Sequence, residues 1–73
     1  MSASSIKVRF GASVRKLRNE RGLSQEALAE RAGLHRNYVG GVERGERNIA
    51  LENIVKLAEA LSVASSDLFA DLP

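Results

Sequence analysis

The residues best suited to chemistry lie in one polar and basic stretch, HRNYVGGVERGERN, which spans residues 35–48. Arg36 and Asn37 stand side by side near its start, and such side chains pair bidentately with the edges of guanine and adenine, respectively. Arg44 and Arg47 follow among other polar residues, where guanidinium groups suit phosphate contacts that position a protein on a nucleic acid. The stretch therefore indicates base recognition by Arg36 and Asn37, with phosphate contact or plain solvation as the alternatives.

The chain has no comparable set of residues for enzyme catalysis. The chain has one His, no Cys and no pair of carboxylates outside amphipathic helix faces, so an acid, base or nucleophile constellation cannot be assembled. We therefore expect no enzyme activity, no metal, no other cofactor and no small-molecule ligand. The lone His35 is interpreted as the residue at the entry of a helix. The rival hypothesis is a helical module that binds protein, such as an antitoxin or a bridging factor.

Length and composition limit the architecture. A chain of 73 residues with 44 % apolar and 27 % charged residues predicts one small globular domain, and such a domain buries only about 60 % of the surface that its unfolded chain exposes. The absence of cysteine fits a reducing compartment. Neither a signal-peptide core nor a run of about 18 apolar residues is present. We expect a cytoplasmic protein without a membrane segment.

Charge is distributed unevenly along the chain. Residues 1–47 contain ten Lys or Arg against five Glu, whereas residues 48–73 contain one Lys against four acidic residues. A basic surface raises the local concentration of polyanions such as nucleic acid, and an acidic surface is repelled by them. The first two thirds of the chain are therefore expected to face a nucleic acid, with a solvated charged surface as the alternative.

Apolar residues recur with the 3.6-residue period of helices, and no strand pattern interrupts them. Ser24 is expected to cap the second helix, Gly33 and Gly45 to end the second and third helices, and Ser65 to cap a short fifth helix. The fold class is therefore predicted to be all-α, a compact five-helix bundle in one domain. The predicted helices cover about residues 7–21, 25–32, 36–44, 51–61 and 65–70.

The second and third predicted helices form a helix-turn-helix over about residues 25–44. Ala29 is small where these helices must cross, and Val39 and Val42 face the core. Tyr38 then lies on one flank of the third helix. Its hydroxyl suits contact with a phosphate there, and its ring equally suits packing on the rim of the bundle.

Two adjacent glycines interrupt the third predicted helix. Gly40 and Gly41 fall on its outer face together with Asn37 and Arg44, when the helix is projected at about 100° per residue. Each glycine costs about 1 kcal/mol relative to alanine in a helix interior. We interpret the pair as removing side chains so that the helix backbone approaches the bases closely.

The segment LSQEALAERAGLHRNYVGGVERGERN, residues 23–48, resembles the phage-repressor-like helix-turn-helix regulators grouped with Cro and the lambda repressor. The likeness extends over about residues 10–69, and the ERGERN sequence with Tyr38 before it is most similar to the controller proteins of restriction–modification systems. The resemblance implies a homodimer that binds a pseudo-palindromic operator in double-stranded DNA, with its third helix in the major groove. It also implies a regulator that blocks or recruits RNA polymerase and acts on its own gene.

The resemblance further assigns roles to individual residues. Gln25 corresponds to a residue that contacts a backbone phosphate, and Arg18 and Glu43 correspond to a partly buried ion pair. Ala50 and Ser62 depart from the family pattern, which often has a Ser or Thr cap and a glycine at these positions. The residues expected to bind DNA are Gln25, Arg36, Asn37, Tyr38, Gly40, Gly41, Arg44, Arg47 and Asn48.

The fourth predicted helix is apolar over a wider arc than a small core needs, since its apolar residues span roughly 160°. We expect part of this half of the chain to form the two-fold interface of a homodimer, with a wholly intramolecular core as the alternative. The two third helices would then lie about 34 Å apart, one turn of duplex DNA. The residues expected in the interface are Ile49, Leu51, Ile54, Val63, Leu68 and Phe69.

Overall fold

The structure, a computed structural model that describes all 73 residues, contains four α-helices, one 3-10 helix and no strand. The predicted all-α class is confirmed, but the fifth member is a 3-10 helix, so a bundle of five α-helices is wrong. None of the helices combines the length and the apolar character that a membrane crossing requires. The elements are α1 Ala3–Glu20, α2 Gln25–Ala32, α3 Arg36–Glu43, α4 Leu51–Leu61 and the 3-10 helix Ser65–Phe69.

Helix α1 begins at Ala3, four residues before the predicted start at Lys7, because a serine cap precedes its apolar residues. The Ser2 hydroxyl accepts a hydrogen bond from the Ser5 amide at 3.2 Å, which is the arrangement of an N-cap. Ile6 in this first part of the helix is largely exposed. Capping rather than burial therefore fixes the first turns, and the apolar period alone does not reveal them.

Predicted caps fix both helices of the helix-turn-helix. The Ser24 hydroxyl accepts a hydrogen bond at 3.0 Å from the amide three residues later, and Gly33 ends α2 with φ of 69°. His35 caps α3, since its Nδ1 accepts a hydrogen bond from the Asn37 amide at 3.0 Å. The interpretation of His35 as a helix-entry residue is confirmed, and α3 ends at Glu43, one residue earlier than predicted.

Helix α4 has the predicted bounds, whereas the segment after it is capped differently from the prediction. Ala50 precedes α4 without a side-chain hydrogen bond, and Ser62 ends it with φ of 57°. The Asp67 carboxylate accepts a hydrogen bond from the Ala64 amide at 3.0 Å and caps the 3-10 helix, so the prediction of Ser65 as the cap is wrong. So short a segment can form few α-helical hydrogen bonds, so it adopts the tighter 3-10 conformation instead.

The helices enclose one core of eleven residues. Ala29, Val39 and Val42 lie in it, as predicted for the crossing of α2 and α3. Helices α1 and α3 approach closely at Gly11, where a methyl group would lie 2.2 Å from the carbonyl oxygen of Val42. This approach fixes α3 against α1 and leaves the opposite side of α3 facing outward. The remaining core residues are Phe10, Val14, Leu28, Ala32, Leu57, Ala58, Leu61 and Leu68.

Leu68 is fully buried in this core, so its prediction as a dimer-interface residue is wrong. Successive residues of a 3-10 helix differ by about 120°, so Leu68 and Phe69 do not face the same way. Phe69 is 40 % exposed, and its ring lies 5.3 Å from the ring of Phe10. Val63 is half-buried against the core, whereas Leu51 is 74 % exposed. The apolar residues of the C-terminal half are thus divided between the core and the surface.

Candidate nucleic-acid interface

The start of α3 presents two exposed polar side chains, Arg36 and Asn37, directly after the His35 cap. Arg36 Nη1 lies 3.7 Å from a carboxylate oxygen of Glu26, and both of these side chains are more than half exposed. An ion pair as open as this contributes little to stability. Arg36 and Asn37 are therefore able to turn toward a ligand at this end of α3.

A polar cleft of about 510 Å³ separates the first turn of α2 from the outer face of α3. No apolar residue lines it, and three arginines face one glutamate there. The first turn of α2 adds the partial positive charge of its unpaired amide groups. Five of the nine residues predicted to bind DNA meet in this cleft, which suits a phosphate group. Its lining residues are Arg18, Ser24, Gln25, Glu26, Arg36, Asn37, Gly40 and Arg44.

The Glu43 carboxylate joins α3 to α1 through the predicted ion pair, which the structure contains. Its two oxygens accept hydrogen bonds from Arg18 Nε at 2.6 Å and from Arg18 Nη2 at 3.0 Å. The Glu43 side chain is only 1 % exposed. The hydrogen bond to Glu43 raises the pKa of Arg18, although burial acts in the opposite direction. Arg18 therefore carries a permanent charge that neutralises a buried carboxylate.

Gln25 extends this network to α2. Its Nε2 donates a hydrogen bond to Glu43 Oε1 at 3.0 Å, so its amide nitrogen is held by the protein. Its Oε1 lies over α3, 3.4 Å from the position that a methyl group on Gly40 would take. The partners are 18 residues apart on different helices, and no spacing in the sequence indicates that they meet. One carboxylate thus fixes the relative positions of the three helices that build the cleft.

Gly40 and Gly41 face outward from α3, yet both are buried. A methyl group on Gly40 would lie 3.1 Å from Arg44 Nη1, and one on Gly41 would lie 3.1 Å from Arg47 Cγ. The two arginine side chains therefore cover the helix backbone. The prediction that the glycines leave this backbone bare for close approach of bases is wrong, because a helical projection does not show that later residues fold back over the helix.

Arg44 is held in a hydrogen-bonded ion pair that was not predicted. Its Nε and Nη2 donate to the two carboxylate oxygens of Glu46 at 3.0 and 3.3 Å. These hydrogen bonds raise the pKa of Arg44 and lower the pKa of Glu46. Opposite charges two positions apart in a polar turn were the only available signal. Glu46 therefore competes with any other anion for the Arg44 guanidinium, in a pair whose two side chains are both more than half exposed.

Tyr38 lies half-buried at the rim of the bundle, as its packing alternative predicts. Its hydroxyl accepts a hydrogen bond from Asn53 Nδ2 at 3.1 Å and keeps its own hydrogen for another acceptor. The guanidinium carbon of Arg47 lies 5.3 Å from the centre of the Tyr38 ring, within range of a cation–π interaction. Asn48 is exposed and lies outside the polar cleft. Tyr38, Arg47 and Asn53 form a second cluster beside the cleft.

Residues 14–68 match the model of the helix-turn-helix family. The chain belongs to this helix-turn-helix family. It is 43 % identical over 68 residues to the control protein C.MunI of a Mycoplasma species, which covers 92 % of each chain. It is 45 % identical over 64 residues to the control protein C.BamHI of Bacillus amyloliquefaciens, covering 86 % of this chain and 79 % of the relative.

A solved structure resembles this helix-turn-helix protein closely in both sequence and fold. The restriction–modification controller protein C.AhdI from Aeromonas hydrophila is 58 % identical, with a TM-score of 0.84, over 85 % of this chain and 94 % of the other. The resemblance to controller proteins, predicted from residues 23–48, is thereby confirmed. These relatives are named as control proteins rather than as enzymes.

Proposed function

We propose that this helix-turn-helix protein regulates transcription by binding double-stranded DNA, and that it is the controller protein of a restriction–modification system. The observation that carries the proposal is the polar cleft between α2 and α3, which lies beside the exposed Arg36 and Asn37 at the start of α3. The cleft lies in the basic part of the chain, residues 1–47. The control proteins to which the chain is similar support the regulatory role.

Contacts to DNA divide into two kinds in this proposal. Arg36 and Asn37, exposed at the start of α3, contact base edges in the major groove. The first turn of α2 receives a phosphate through its backbone amides, since the amide nitrogen of the Gln25 side chain is hydrogen-bonded to Glu43. Further phosphate contacts come from Tyr38, Arg44, Arg47 and Asn48, which position the protein without selecting sequence.

A second copy of the chain completes the binding unit. Each copy contains one α3 helix, whereas successive major grooves on one side of a duplex lie about 34 Å apart. One copy therefore places α3 in one groove only. A two-fold dimer places two α3 helices in successive grooves, and its operator is a pseudo-palindrome.

The dimer interface proposed here is the exposed apolar surface of the C-terminal half. Leu51 and Val55 are exposed one turn apart on α4, and Phe69 lies at the edge of a nearby apolar groove. Val63 and the buried Leu68 support this surface from within. The acidic half of the chain then lies at the dimer centre, away from the phosphates. The groove is lined by Ile6, Lys7, Phe10, Asn48, Ile49, Ile54, Phe69 and Leu72.

The regulator acts by occupancy. A dimer bound at a promoter blocks RNA polymerase or recruits it, according to where the operator lies. Transcription by purified RNA polymerase from the operator-bearing promoter, with increasing regulator, distinguishes the two signs. Because association of two copies precedes full occupancy, the concentration of the regulator itself sets its effect.

Selection of bound sequences from random duplexes tests the proposal. We expect a pseudo-palindrome to be enriched, and affinity for it to fall steeply with salt because several phosphates are neutralised. Arg36→Ala should weaken binding by about tenfold or more and relax the preference at one base pair. Arg31→Ala, an exposed arginine at the other end of α2, is the matched control and should bind nearly as well as the unchanged protein.

Absence of any enriched sequence, together with an affinity insensitive to salt in a protein that circular dichroism shows to be folded, would contradict DNA binding. That outcome would favour the alternative function, a module of the same fold that binds protein.

A further inference from the structure

The side chain of Arg47 lies back over α3, although Arg47 itself follows the end of that helix. Gly45 takes a left-handed conformation with φ of 76°, and the Glu46 amide donates to the Gly41 carbonyl at 2.9 Å. These features turn the chain back along the outer face of α3. Arg47 consequently reaches Gly41, six positions earlier in the chain.

Gly41 provides the surface on which Arg47 rests. The three atoms nearest to a methyl group placed on Gly41 all belong to Arg47: Cγ at 3.1 Å, Nε at 3.2 Å and Cδ at 3.7 Å. A methyl group at this position would press against the arginine stem, which would have to move by a few tenths of an ångström. Since Gly41 is buried in the structure, the Arg47 side chain is what covers it.

Tyr38 holds the other end of the same side chain. Its ring lies 5.3 Å from the guanidinium carbon of Arg47, and Asn53 of α4 anchors the ring through the 3.1 Å hydrogen bond to its hydroxyl. No carboxylate forms an ion pair with Arg47, whereas Arg44 is paired with Glu46. Arg47 is thus a cation held in place by a ring and a glycine, without an ion pair of its own.

We propose that Gly41 and Tyr38 are positioning residues that fix the direction in which Arg47 presents its guanidinium group to DNA. This inference rests on the proposed function and deepens it, because it assigns the glycine a role that acts through another residue. The glycine does not serve close approach of the helix backbone to bases. It makes room for the Arg47 side chain, which places a positive charge on the outer face of α3. Asn53 of α4 contributes by holding the Tyr38 ring.

A double-mutant cycle tests the inference with the selected operator duplex as the probe. Gly41→Ala and Arg47→Ala should each weaken binding by about tenfold. The double variant should bind no more weakly than Arg47→Ala alone, because the glycine acts only through the arginine. Gly40→Ala is the matched control: its neighbour is Arg44, so its effect should persist in the Arg47→Ala background.

Folding is separated from positioning by two further measurements. Thermal unfolding of Gly41→Ala should occur at the same temperature as in the unchanged protein or higher, because alanine favours helix. The Arg47 Nε–Hε signal in the NMR spectrum should be displaced by the current of the Tyr38 ring, and Gly41→Ala should remove that displacement. Asn53→Ala, which leaves α3 intact, should weaken binding more in the unchanged protein than in the Arg47→Ala background.

Equal losses from Gly41→Ala with and without Arg47, or no loss at all, would overturn the inference while leaving DNA binding by the unchanged protein intact. Failure of the unchanged protein to bind any duplex would instead overturn the proposed function.

Discussion

At the scale of residues, the Glu43 carboxylate joins the two helices of the helix-turn-helix to α1. It is buried and accepts two hydrogen bonds from Arg18 and one from Gln25. A buried charge is tolerated only when its hydrogen-bonding capacity is satisfied. The pair with Arg18 was predictable through the resemblance to a family, but the contribution of Gln25 was not, because its partner lies on another helix.

Arg18→Met should destabilise the fold by about 3–5 kcal/mol, because it leaves a buried carboxylate with one neutral donor. A chain of this length has a free energy of unfolding of about 4–11 kcal/mol, so the variant should be marginally folded in urea titrations at pH 7. Arg18→Met combined with Glu43→Met should recover most of the loss, since no charge remains buried.

Arg15→Met is the control for that experiment. Arg15 Nε also lies near Glu43, at 3.7 Å, but its side chain is largely exposed. We expect a change of less than about 1 kcal/mol. Equal stability of the Arg18→Met and Arg15→Met variants would contradict the structural role of the buried pair.

The Arg44–Glu46 pair predicts that the stability of the fold depends on pH. Hydrogen bonds from Arg44 hold the pKa of the Glu46 carboxyl below its usual value of about 4.3. Because the pKa is lower in the folded state, the stabilising contribution is present above about pH 4.3 and is lost as the pH falls through the lowered value. The carboxyl carbon of Glu46, followed by NMR, should titrate below the usual range and return to it in Arg44→Gln. An unshifted Glu46 in the unchanged protein would contradict the pair.

At the scale of elements, sequence signals located helices wherever a cap and an apolar period agree. Ser24 and Gly33 bracket α2 as predicted, and the apolar period of α4 gives its bounds. The start of α1 was missed because its first turns are capped but largely unburied. The covering of Gly40 and Gly41 was missed because it depends on where the chain turns after α3, which local periodicity does not determine.

The residues that flank α4 at its two ends are poor helix caps, so a substitution at each end should stabilise the protein. Ala50→Ser should stabilise the protein by about 1 kcal/mol by supplying the missing N-cap acceptor. Ser62→Gly should add about 0.5–1 kcal/mol, because a left-handed conformation with φ of 57° strains a residue other than glycine. Each kcal/mol should raise the melting temperature by about 4–8 °C.

Ser24→Ala is a control with the opposite expected sign, because it removes the existing N-cap of α2. It should lower the free energy of unfolding by about 1 kcal/mol. A melting temperature unchanged by both α4 substitutions would mean that the ends of this helix are already open in solution.

At the scale of the whole molecule, basic residues and exposed apolar residues lie in different parts of the chain. The basic part contains the polar cleft, and the acidic part contains the exposed residues of α4. The charge division was evident in the sequence. The sequence did not show which C-terminal apolar residues are buried and which are exposed. The final segment is too short for its periodicity to reveal that Leu68 enters the core while Phe69 remains at the surface.

Val55→Lys should prevent dimerisation by placing a charge in the proposed interface, and should weaken operator binding although it adds a positive charge. Val8→Lys is the matched control, because Val8 is an exposed valine on α1, outside the apolar groove and somewhat more exposed than Val55. Sedimentation velocity at micromolar concentration should report monomer for Val55→Lys and dimer for Val8→Lys. A monomer in the unchanged protein would contradict the two-fold interface.

The close approach of α1 and α3 at Gly11 has a consequence for how sequences of this family diverge. No substitution fits at Gly11 while the backbones stay in place, because even a methyl group would overlap the Val42 carbonyl oxygen. A methyl group on Gly41 would meet the Arg47 side chain first, so the identity of residue 41 is coupled to that of residue 47. Relatives that share this backbone but differ at residue 47 should therefore keep the first glycine unchanged and exchange the second together with the arginine.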